Sequence, residues 1–468
     1  MARPLIGRTI RRLRQEQSLT QAALATRLGI SASYLNLIEH DQRVLTASLL
    51  LKVAETLGAE LSALSGASER ALEAGLREVF ADPSLPEPVP EEEVAALAAS
   101  APSAGRAVLA LYRALRVARE DAGGLALPSG RRILLPGEET RDFFHERANH
   151  FPELEDAAEA ILAELAVAPA ETNHALAERL RRRHGLIVSV EPLEGALRRF
   201  DPERGHLALA ETLPRESRGF QMAFQVALLE ARDVVERIVT AAEPSSTEAG
   251  ALMRVGLLNY LAGALLMPYA PFLEAARALR HDIDALAARF GVSFEQACHR
   301  LSTLQRAAAR GIPFFFLRLD PAGNVSKRFS AAGFPFARFG GSCPRWVVHA
   351  AFASPGAVQV QHARLPDGAS FFCFARAVAG PLTRWGEPRP IRVVAMGCDA
   401  AHAPDLAYAD GLDLERAVVG IGLSCRLCER PDCRSRAFPP LAHRLALDPH
   451  TTSASPYRFE RLPADSPR

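Results

Sequence analysis

Hydrophobic and polar positions follow different periods along the chain, and the changes of period divide it into regions. Through residue 65 and again between residues 66 and 310, apolar residues recur every three or four positions, which predicts helices. The short segments "GLIVSVEPL" and "HLALAETL" interrupt this pattern and predict strands. After residue 311 the pattern predicts further strands in "IPFFFLRLDPAGNVSKRFS", "WVVHAAF", "AVQVQHARL", "SFFCFARAV" and "PIRVVAMGCD". The chain is therefore predicted to be helix-rich, α+β and multidomain, with a largely antiparallel C-terminal sheet.

Chain length and a proline-rich acidic segment set the predicted boundaries. A chain of 468 residues is too long for one hydrophobic core. The segment "DPSLPEPVPEEE" has the composition of a linker. We predict an N-terminal helical domain (1–65), a helical linker or dimerisation region (66–150), a central domain (151–310) and a C-terminal domain (311–468).

Helix caps and turn residues divide the first 65 residues into short helices. Thr20 is a good N-cap, and Gly29 ends the helix that follows. Ser31 caps the next helix, in which Leu35 and Ile38 face inward. The opposite face of that helix presents short or planar hydrogen-bonding side chains: Ser33, Tyr34 and Asn36.

A helix of this kind can lie in the major groove of double-stranded DNA. We predict that Ser31, Ser33, Tyr34 and Asn36 read bases, and that Gln21 and Arg43 also contact the DNA. A small helical protein–protein module is the alternative. The segment "ISASYLNLIEHDQR" resembles the XRE-type helix-turn-helix of phage repressors, which implies a lambda-repressor-like fold. One such domain recognises only a few base pairs, so we expect a homodimer that binds paired half-sites.

Overall composition excludes a polycation and argues against a membrane protein. The formal net charge is +1, so any nucleic-acid surface must be a local patch. The N-terminal "MARPLIGRTIRRLRQEQ" contains no apolar run of signal-peptide length. The most apolar stretch, "VGLLNYLAGALLMP", is about 14 residues long, which is too short to span a bilayer. We expect a soluble cytoplasmic protein without a membrane partner.

The segment "RGFQMAFQVALLEARDVV" predicts an amphipathic helix with an apolar stripe formed by Phe220, Ala223, Phe224, Ala227 and Leu228. Two short strands, this helix and a second helix ending in "LLMP" resemble the ImmA/IrrE-like metallopeptidases. In that family the motif H-E-x-x-H on the first helix supplies two zinc ligands and the general base.

The residues at the matching positions are Phe224, Gln225 and Leu228. Phenylalanine and leucine cannot bind zinc, and glutamine cannot act as a general base. The sequence therefore predicts a degenerate, non-enzymatic peptidase domain with no catalytic residue. A cleft lined by Phe224 and Leu228 would suit a short apolar ligand.

Three of the 7 cysteines, Cys425, Cys428 and Cys433, form a C-x2-C-x4-C motif near the C-terminus. The spacing predicts a metal centre and fits zinc or an iron–sulfur cluster equally well; redox-active or structural thiols are the alternatives. A fourth ligand could come from Cys343, Cys373, Cys398, His402 or His443. Cys298, within a predicted helix, is expected to be an inert buried thiol.

The full order of motifs resembles the short-chain fatty acyl transcriptional regulators of bacteria. The resemblance includes "RDFFHERANHFPELE", "FQMAFQ", "FGGSCPRW" and "CRLCERPDCRSRAFPP" and spans almost the whole chain. It implies control of acetate, propionate and glyoxylate-cycle genes and binding of short-chain acyl-CoA. It also favours an iron–sulfur cluster, of the [4Fe–4S] type, over zinc.

Four basic residues of the C-terminal domain are candidates for binding the CoA phosphates: Lys327, Arg328, Arg338 and Arg345. A solvated charged face is the alternative for them. Two other functions remain open for the chain as a whole. One is a metal-dependent peptidase that cleaves a repressor, and the other is an iron–sulfur redox sensor without an acyl ligand.

Overall fold

The structure is a computed structural model, and it describes most of the chain. The described residues are 6–17, 19–40, 42–43, 45–58, 67–82, 89–121, 136–165, 171–336, 342–440, 443–446, 448, 450–455 and 457–460.

The N-terminal unit consists of helices α1 (Ile6–Glu16), α2 (Gln21–Leu28), α3 (Ala32–Glu39) and α4 (Ala47–Leu57). The predicted caps are confirmed. The Thr20 hydroxyl accepts a hydrogen bond from the amide of Ala23, and the Ser31 hydroxyl accepts one from the amide of Tyr34. Gly29 ends α2 with a φ of 69°, a conformation that glycine adopts at little cost. Leu35 and Ile38 are buried in the core of this unit, as predicted.

Helices α5 (Ala67–Phe80), α6 (Glu91–Ser100) and α7 (Pro102–Asp121) form a second small unit. Its core is built from Leu72, Leu76, Val79, Val94, Ala98, Leu109 and Tyr112. Residues 83–88, half of the predicted linker, lie outside the described residues.

The central unit is mostly helical and encloses a small sheet. Its helices are α8 (Pro136–Glu146), α9 (Pro152–Leu165), α10 (Thr172–His184), α11 (Arg215–Glu230), α12 (Arg232–Ala241), α13 (Thr247–Leu266), α14 (Tyr269–Ala278), α15 (Ile283–Phe290) and α16 (Phe294–Leu301). Its strands are β1 (Ile187–Glu191), β2 (Arg198–Asp201) and β3 (His206–Ala210), in the order β1-β3-β2. Strands β1 and β3 were predicted and are parallel; β2, antiparallel to β3, was not predicted.

Helix α13 is the centre of this unit. It is 20 residues long, longer than the apolar stretch visible in the sequence, and it is apolar enough to cross a membrane by length and composition. However, 67% of its apolar window is buried within the fold, as in the core helix of a globular unit. The pair α6 and α7 passes the same test only if both helices, bent by 115°, are taken as one span.

A buried ion pair connects α9 and α16. The Glu155 carboxylate accepts hydrogen bonds from Arg300 Nη1 at 2.6 Å and Nη2 at 2.8 Å. Arg300 Nε donates to the carbonyl of Met267, and the Tyr260 hydroxyl donates to Glu155 Oε1 at 2.5 Å. The side chains of Arg300 and Glu155 are only 2% and 1% exposed.

The C-terminal unit is a sheet in the order β5-β4-β8-β7-β6-β9. The strands are β4 (Phe315–Leu319), β5 (Val325–Ser330), β6 (Gln359–Arg364), β7 (Ser370–Ala379), β8 (Ile391–Asp399) and β9 (Val418–Gly420), and a separate pair is formed by β10 (Arg444–Leu445) and β11 (Phe459–Glu460). All neighbours in the large sheet are antiparallel except β6 and β9, so the largely antiparallel prediction is confirmed. One face, with Phe316, shares a core with the central helices, and the other, with Phe315, packs on Trp346.

The prediction of a strand at "WVVHAAF" was wrong. Val347–Ala350 form the short helix α17, and Ala351–Ala353 continue as a 3-10 turn. Trp346, Val347, Val348 and Ala351 are all buried, which is a helical i, i+1, i+4 pattern and does not alternate as a strand would.

Candidate functional site

The predicted base-reading residues lie together on α3. Ser33 and Asn36 are exposed, and Tyr34 is half-buried beside them. The Ser31 hydroxyl is engaged as the helix cap, so its first role is to fix the start of α3. Arg43 is exposed beyond the end of this helix.

A polar network holds the exposed face of α3 in position. Gln21 Nε2 donates to Asn36 Oδ1 at 3.1 Å and to Glu39 Oε2 at 3.0 Å. Glu39 is buried, and its carboxylate also accepts two hydrogen bonds from Arg14. Arg14 Nε donates to Oε1 at 2.7 Å, and Nη2 donates to Oε2 at 2.9 Å. The hydrogen bonds that Arg14 donates to Glu39 raise the pKa of Arg14. Helices α1, α2 and α3 are thus tied together directly behind the residues predicted to read DNA.

The positions that match the metallopeptidase motif lie on α11, and the burial of this helix differs from the predicted apolar stripe. Ala223 and Ala227 are buried as predicted, whereas Phe224 and Leu228 are only half-buried. Gln225, at the position of the catalytic glutamate, is completely buried. The helix therefore turns the polar side chain of Gln225 toward the interior and leaves Phe224 nearer the surface.

Arg198, which the sequence did not single out, lies against two of these positions, Phe224 and Gln225. Its Nη1 donates to Gln225 Oε1 at 2.7 Å, and its Cζ lies 4.3 Å from the centroid of the Phe224 ring. Burial lowers the pKa of Arg198. Because "RRFD" contains no alternating apolar residues, nothing in the sequence placed it on a strand opposite α11.

The C-terminal cysteine loop is compact. Cys425 and Cys428 are buried, and Cys433 is half-buried. The amide of Ala437 donates to Cys425 Sγ at 3.3 Å. A Cβ added to Gly422 would lie 2.9 Å from Cys428 Sγ, so glycine is required for the loop to pack this closely.

A single buried arginine organises the loop. Arg436 donates to the carbonyl oxygens of Cys425 and Cys428 at 2.7 Å each, and to that of Arg430 at 2.8 Å. These bonds fix the backbone on which two of the three motif cysteines lie. The side chain of Arg436 is therefore a structural part of the predicted metal loop.

Among the candidates for a fourth ligand, Cys343 lies beside Cys425 and Cys428. Burial raises the pKa of the Cys343 thiol, and the neighbouring Cys425 and Cys428 raise it further. Hydrogen bonds with the backbone amides of Gly422 and Arg345 oppose this rise. Cys373 and Cys398 instead lie on the central strands β7 and β8. His402 pairs with Asp405, and the His443 ring stacks on Phe459.

The donor chemistry fits a thiolate-bound centre. Buried sulfurs, an amide donor to one sulfur and interleaved arginines would stabilise an anionic cluster. Within the described residues, however, no group of three or more His, Cys, Asp or Glu side chains surrounds a position for a single metal ion.

The basic residues predicted to bind CoA phosphates are not brought together, as far as the structure describes them. Lys327 on β5 faces the central helices, with its Nζ 5.9 Å from the centroid of Phe316, and burial lowers its pKa to about 8. Arg328 follows on the opposite face of the same strand. Arg345 is exposed, and its carbonyl accepts from Gln361 on β6, toward the far edge of the sheet. Arg338 lies outside the described residues.

Comparison with known families assigns three consecutive parts of the chain. Residues 10–64 match the helix-turn-helix family, and residues 181–302 match the IrrE N-terminal-like domain. Residues 303–457 match the family described as "Short-chain fatty acyl coenzyme A regulator, C-terminal".

Relatives of similar length are transcriptional regulators. The chain is 42% identical to the HTH-type transcriptional regulator PrpR of Mycobacterium tuberculosis, over 97% of this chain and 96% of the relative. It is 39% identical to RamB of the same species, over 99% and 100%, and 40% identical to the propionyl-CoA carboxylase regulator of Cereibacter sphaeroides, over 97% and 98%.

A solved structure titled "Mycobacterium tuberculosis transcriptional regulator" is 45% identical, with a TM-score of 0.67, and covers 69% of this chain and 99% of its own. These matches confirm the family and fold class indicated by the sequence. The chain belongs to the HTH-type transcriptional regulators with a short-chain fatty acyl coenzyme A regulator domain.

Proposed function

We propose that the chain is a cytoplasmic regulator of short-chain acyl-CoA metabolism that binds operator DNA as a homodimer and changes its DNA affinity when an acyl-CoA binds. The observation that carries the proposal is the exposed, pre-positioned face of α3. Asn36 is held by Gln21, which in turn is held by the buried Arg14–Glu39 pair. A planar amide fixed in this way can form a bidentate contact with adenine in the major groove.

Binding of an acyl group is supported by the central unit. Phe224 and Leu228, half-buried on α11, offer an apolar surface where the peptidase family has its metal site. The matched C-terminal family is named for short-chain fatty acyl coenzyme A, and one relative is named for propionyl-CoA carboxylase. We therefore place the acyl end of the ligand at α11 and expect acetyl- and propionyl-CoA to be better ligands than longer thioesters.

A peptidase activity is not part of the proposal. Metal-dependent hydrolysis needs two zinc-binding histidines and a carboxylate base on one helix face. The corresponding positions hold Phe224, Gln225 and Leu228, and Gln225 is already hydrogen-bonded to Arg198. The relatives of the chain are named as transcriptional regulators.

We also propose that Cys425, Cys428 and Cys433 bind an iron–sulfur cluster, with Cys343 as the nearest further thiol. When bound, such a cluster would supply redox sensitivity. In this chain the loop held by Arg436 would report the state of the cluster to the sheet. Zinc at the same thiols is the alternative, and a redox sensor without an acyl ligand is the second candidate function.

Dimerisation through α7 is the arrangement that the structure supports best. Apolar side chains repeat every three or four residues on its outer face: Ala104, Ala107, Leu111 and Leu115. Leu111 is 58% exposed and Leu115 is 44% exposed, although the opposite face of α7 already packs into a core. A second copy is the natural partner, because one stripe can pair with itself around a two-fold axis, as paired half-sites require. Leu111→Asp with Leu115→Asp should give a folded monomer by light scattering.

The central experiment measures DNA affinity while acyl-CoA is added. A DNA site is first selected from a random pool with the purified protein, and binding is then followed by fluorescence anisotropy at fixed salt. Acetyl- or propionyl-CoA should change the affinity, whereas free CoA should not. No response to any thioester, combined with a response to oxidation, would instead favour the redox sensor.

The DNA-reading assignment has its own test. Asn36→Ala should weaken binding by about 1–3 kcal/mol at one base position and relax the preference there. Gln21→Ala should also lower affinity, because it releases Asn36. The control is Arg199→Gln, on an exposed position of β2. An unchanged site preference for Asn36→Ala would show that α3 does not read the bases.

The cluster assignment is tested by colour and metal content. Anaerobically purified protein should be brown, and Cys→Ala changes at 425, 428 or 433 should bleach it, while Cys298→Ala should not. Colourless protein with about one equivalent of zinc would establish the alternative metal. Protein with no metal under anaerobic conditions would leave only redox or structural thiols.

A further inference from the structure

Arg198 is half-buried and has no carboxylate partner among the described residues, whereas three buried arginines have one. Buried Arg436 also lacks a carboxylate, but it donates to several backbone carbonyls. Arg14, Arg179 and Arg300 pair with Glu39, Glu230 and Glu155, respectively. The only bond described for the Arg198 side chain is the one from Nη1 to Gln225. No described carboxylate faces the donors at Nε and Nη2 or balances the positive charge.

Gln225 adds a second unmatched donor at the same place. Because Arg198 can only donate, the atom facing it must be the amide oxygen of Gln225, and this fixes the orientation of the amide. The Gln225 side chain is completely buried, and its Nε2 has no acceptor among the described residues. Such a donor must take its acceptor from outside the folded chain, from a water molecule or a bound ligand.

The surroundings are open to solvent on one side. Val190 on β1 and Arg198 on β2 both lie directly opposite Leu209 on β3, so the three side chains form one row on the face toward α11. Leu209 is buried in the core, but Val190 is 49% exposed, and Leu197 next to Arg198 is 45% exposed. A small molecule can therefore approach the guanidinium at this end of the sheet.

We propose that Arg198 and Gln225 bind the carboxylate of a small monocarboxylic acid at the place where the peptidase family binds its metal. A guanidinium fork and one amide donor match the planar oxygens of a carboxylate. One cation balances one negative charge, whereas a phosphate monoester carries nearly two. Half-buried Phe224 and Leu228 would contact a short aliphatic tail. The inference rests on the proposed function only in using the same apolar surface, since an acyl thioester has no free carboxylate.

The test uses the full-length protein and carboxyl-labelled propionate, with binding followed by NMR and by the shift of the thermal unfolding midpoint. Wild-type protein should bind propionate, and neutral propionamide and inorganic phosphate should bind at least about tenfold more weakly. Equal binding of propionamide would mean that only the apolar surface is used. Equal binding of phosphate would mean that the site is a general anion site. Either result would overturn the proposal.

Two variants separate a ligand site from a purely structural contact. Gln225→Glu places a built-in carboxylate beside Arg198, so it should abolish propionate binding while the fold remains at least as stable. Arg198→Gln should weaken binding by at least about tenfold. Its matched control is Arg199→Gln, the exposed neighbour on β2, which should bind like wild type. Propionate binding that survives both variants would refute the site.

The acyl-CoA response is measured separately, by DNA affinity. Loss of that response with propionate binding intact would refute the proposed function alone. An acyl-CoA response together with no propionate binding would refute the carboxylate site alone.

Discussion

Arg300 is buried and Arg198 is half-buried in the central unit, and the environments of these two arginines are opposite. Arg300 lies between α16 and α9 with both nitrogens of its fork on Glu155. Burial opposes its charge, but Glu155 raises the pKa of Arg300 above its usual value. For Arg198 burial alone acts, and its pKa is lowered.

The charge of Arg300 therefore stabilises the fold, whereas the charge of Arg198 is available to the proposed ligand. The Arg300 network is complete, because Glu155, Met267, Thr303 and Tyr260 use its donors or support its partner. At Arg198 the partner is a neutral amide, and the NH2 group of that amide has no acceptor in the part of the chain that the structure describes. Removing one partner from the complete network should lower the free energy of unfolding strongly. Removing the whole incomplete network should change it little.

Breaking the complete pair is expected to have the largest effect. Glu155→Gln removes the charge opposite Arg300 and should lower the free energy of unfolding by about 3–5 kcal/mol, because an unpaired charge remains buried. Urea denaturation at neutral pH measures the change.

The matched control for this loss is Glu159→Gln, which removes the half-exposed pair with Arg306 and should cost about 0–1 kcal/mol. Equal losses for Glu155→Gln and Glu159→Gln would contradict the special role given to the buried pair.

The same pair predicts the direction of a pH effect. Burial by itself would raise the pKa of Glu155, but the charge and hydrogen bonds of Arg300 hold it below the usual glutamate value. The pair therefore stabilises the fold fully above the pKa of an unfolded glutamate and loses that contribution as pH falls through the folded pKa.

The difference in unfolding free energy between wild type and Glu155→Gln should therefore shrink as the pH falls from 7. The total decrease should be about 1.4 kcal/mol for each unit by which folding lowers the pKa of Glu155. A difference that stays constant to the acid end would contradict the assignment.

Much of the fold could be predicted because its determinants are local. The caps at Thr20 and Ser31 and the turn at Gly29 depend on a few neighbouring residues, and the structure has all three. The prediction of a strand at "WVVHAAF" was wrong because it relied on the β-branched valines and overlooked the helical spacing of the apolar positions. The charged strand β2 had no pattern to reveal it.

The candidate sites were less accessible to sequence reasoning, because they are made by contacts between distant segments. Arg198 meets Gln225 only because β2 lies opposite α11. The motif cysteines were visible from their spacing, but five residues were equal candidates for a fourth ligand. Only the fold shows that Cys343 lies beside Cys425 and Cys428.

The cation Lys327 should have a smaller effect on stability, in the opposite direction. Lys327 is half-buried on β5 and forms no ion pair among the described residues, and burial lowers its pKa to about 8. The folded state therefore disfavours the charged form, and Lys327→Met should raise the unfolding free energy by about 1 kcal/mol at pH 7.

The gain from Lys327→Met should shrink as pH rises from about 8 toward the value of an unfolded lysine. Thermal unfolding at several pH values tests this. A loss of stability at pH 7 would show that the ammonium has a partner that stabilises it.

The smallest change in stability is expected at Arg198, where the comparison becomes most specific. Arg198→Met with Gln225→Leu removes a hydrogen bond, but it also removes a desolvated charge and a buried donor without an acceptor. Replacing both partners of such a contact by apolar groups of similar shape is nearly neutral, so the unfolding free energy should change by less than about 0.5 kcal/mol.

Arg198→Met alone should cost about 1 kcal/mol, because it leaves the Gln225 oxygen buried and unpaired. Urea denaturation of the two single variants and the double variant completes the cycle. A loss in the double variant as large as that of Glu155→Gln would show that Arg198 holds the fold as Arg300 does.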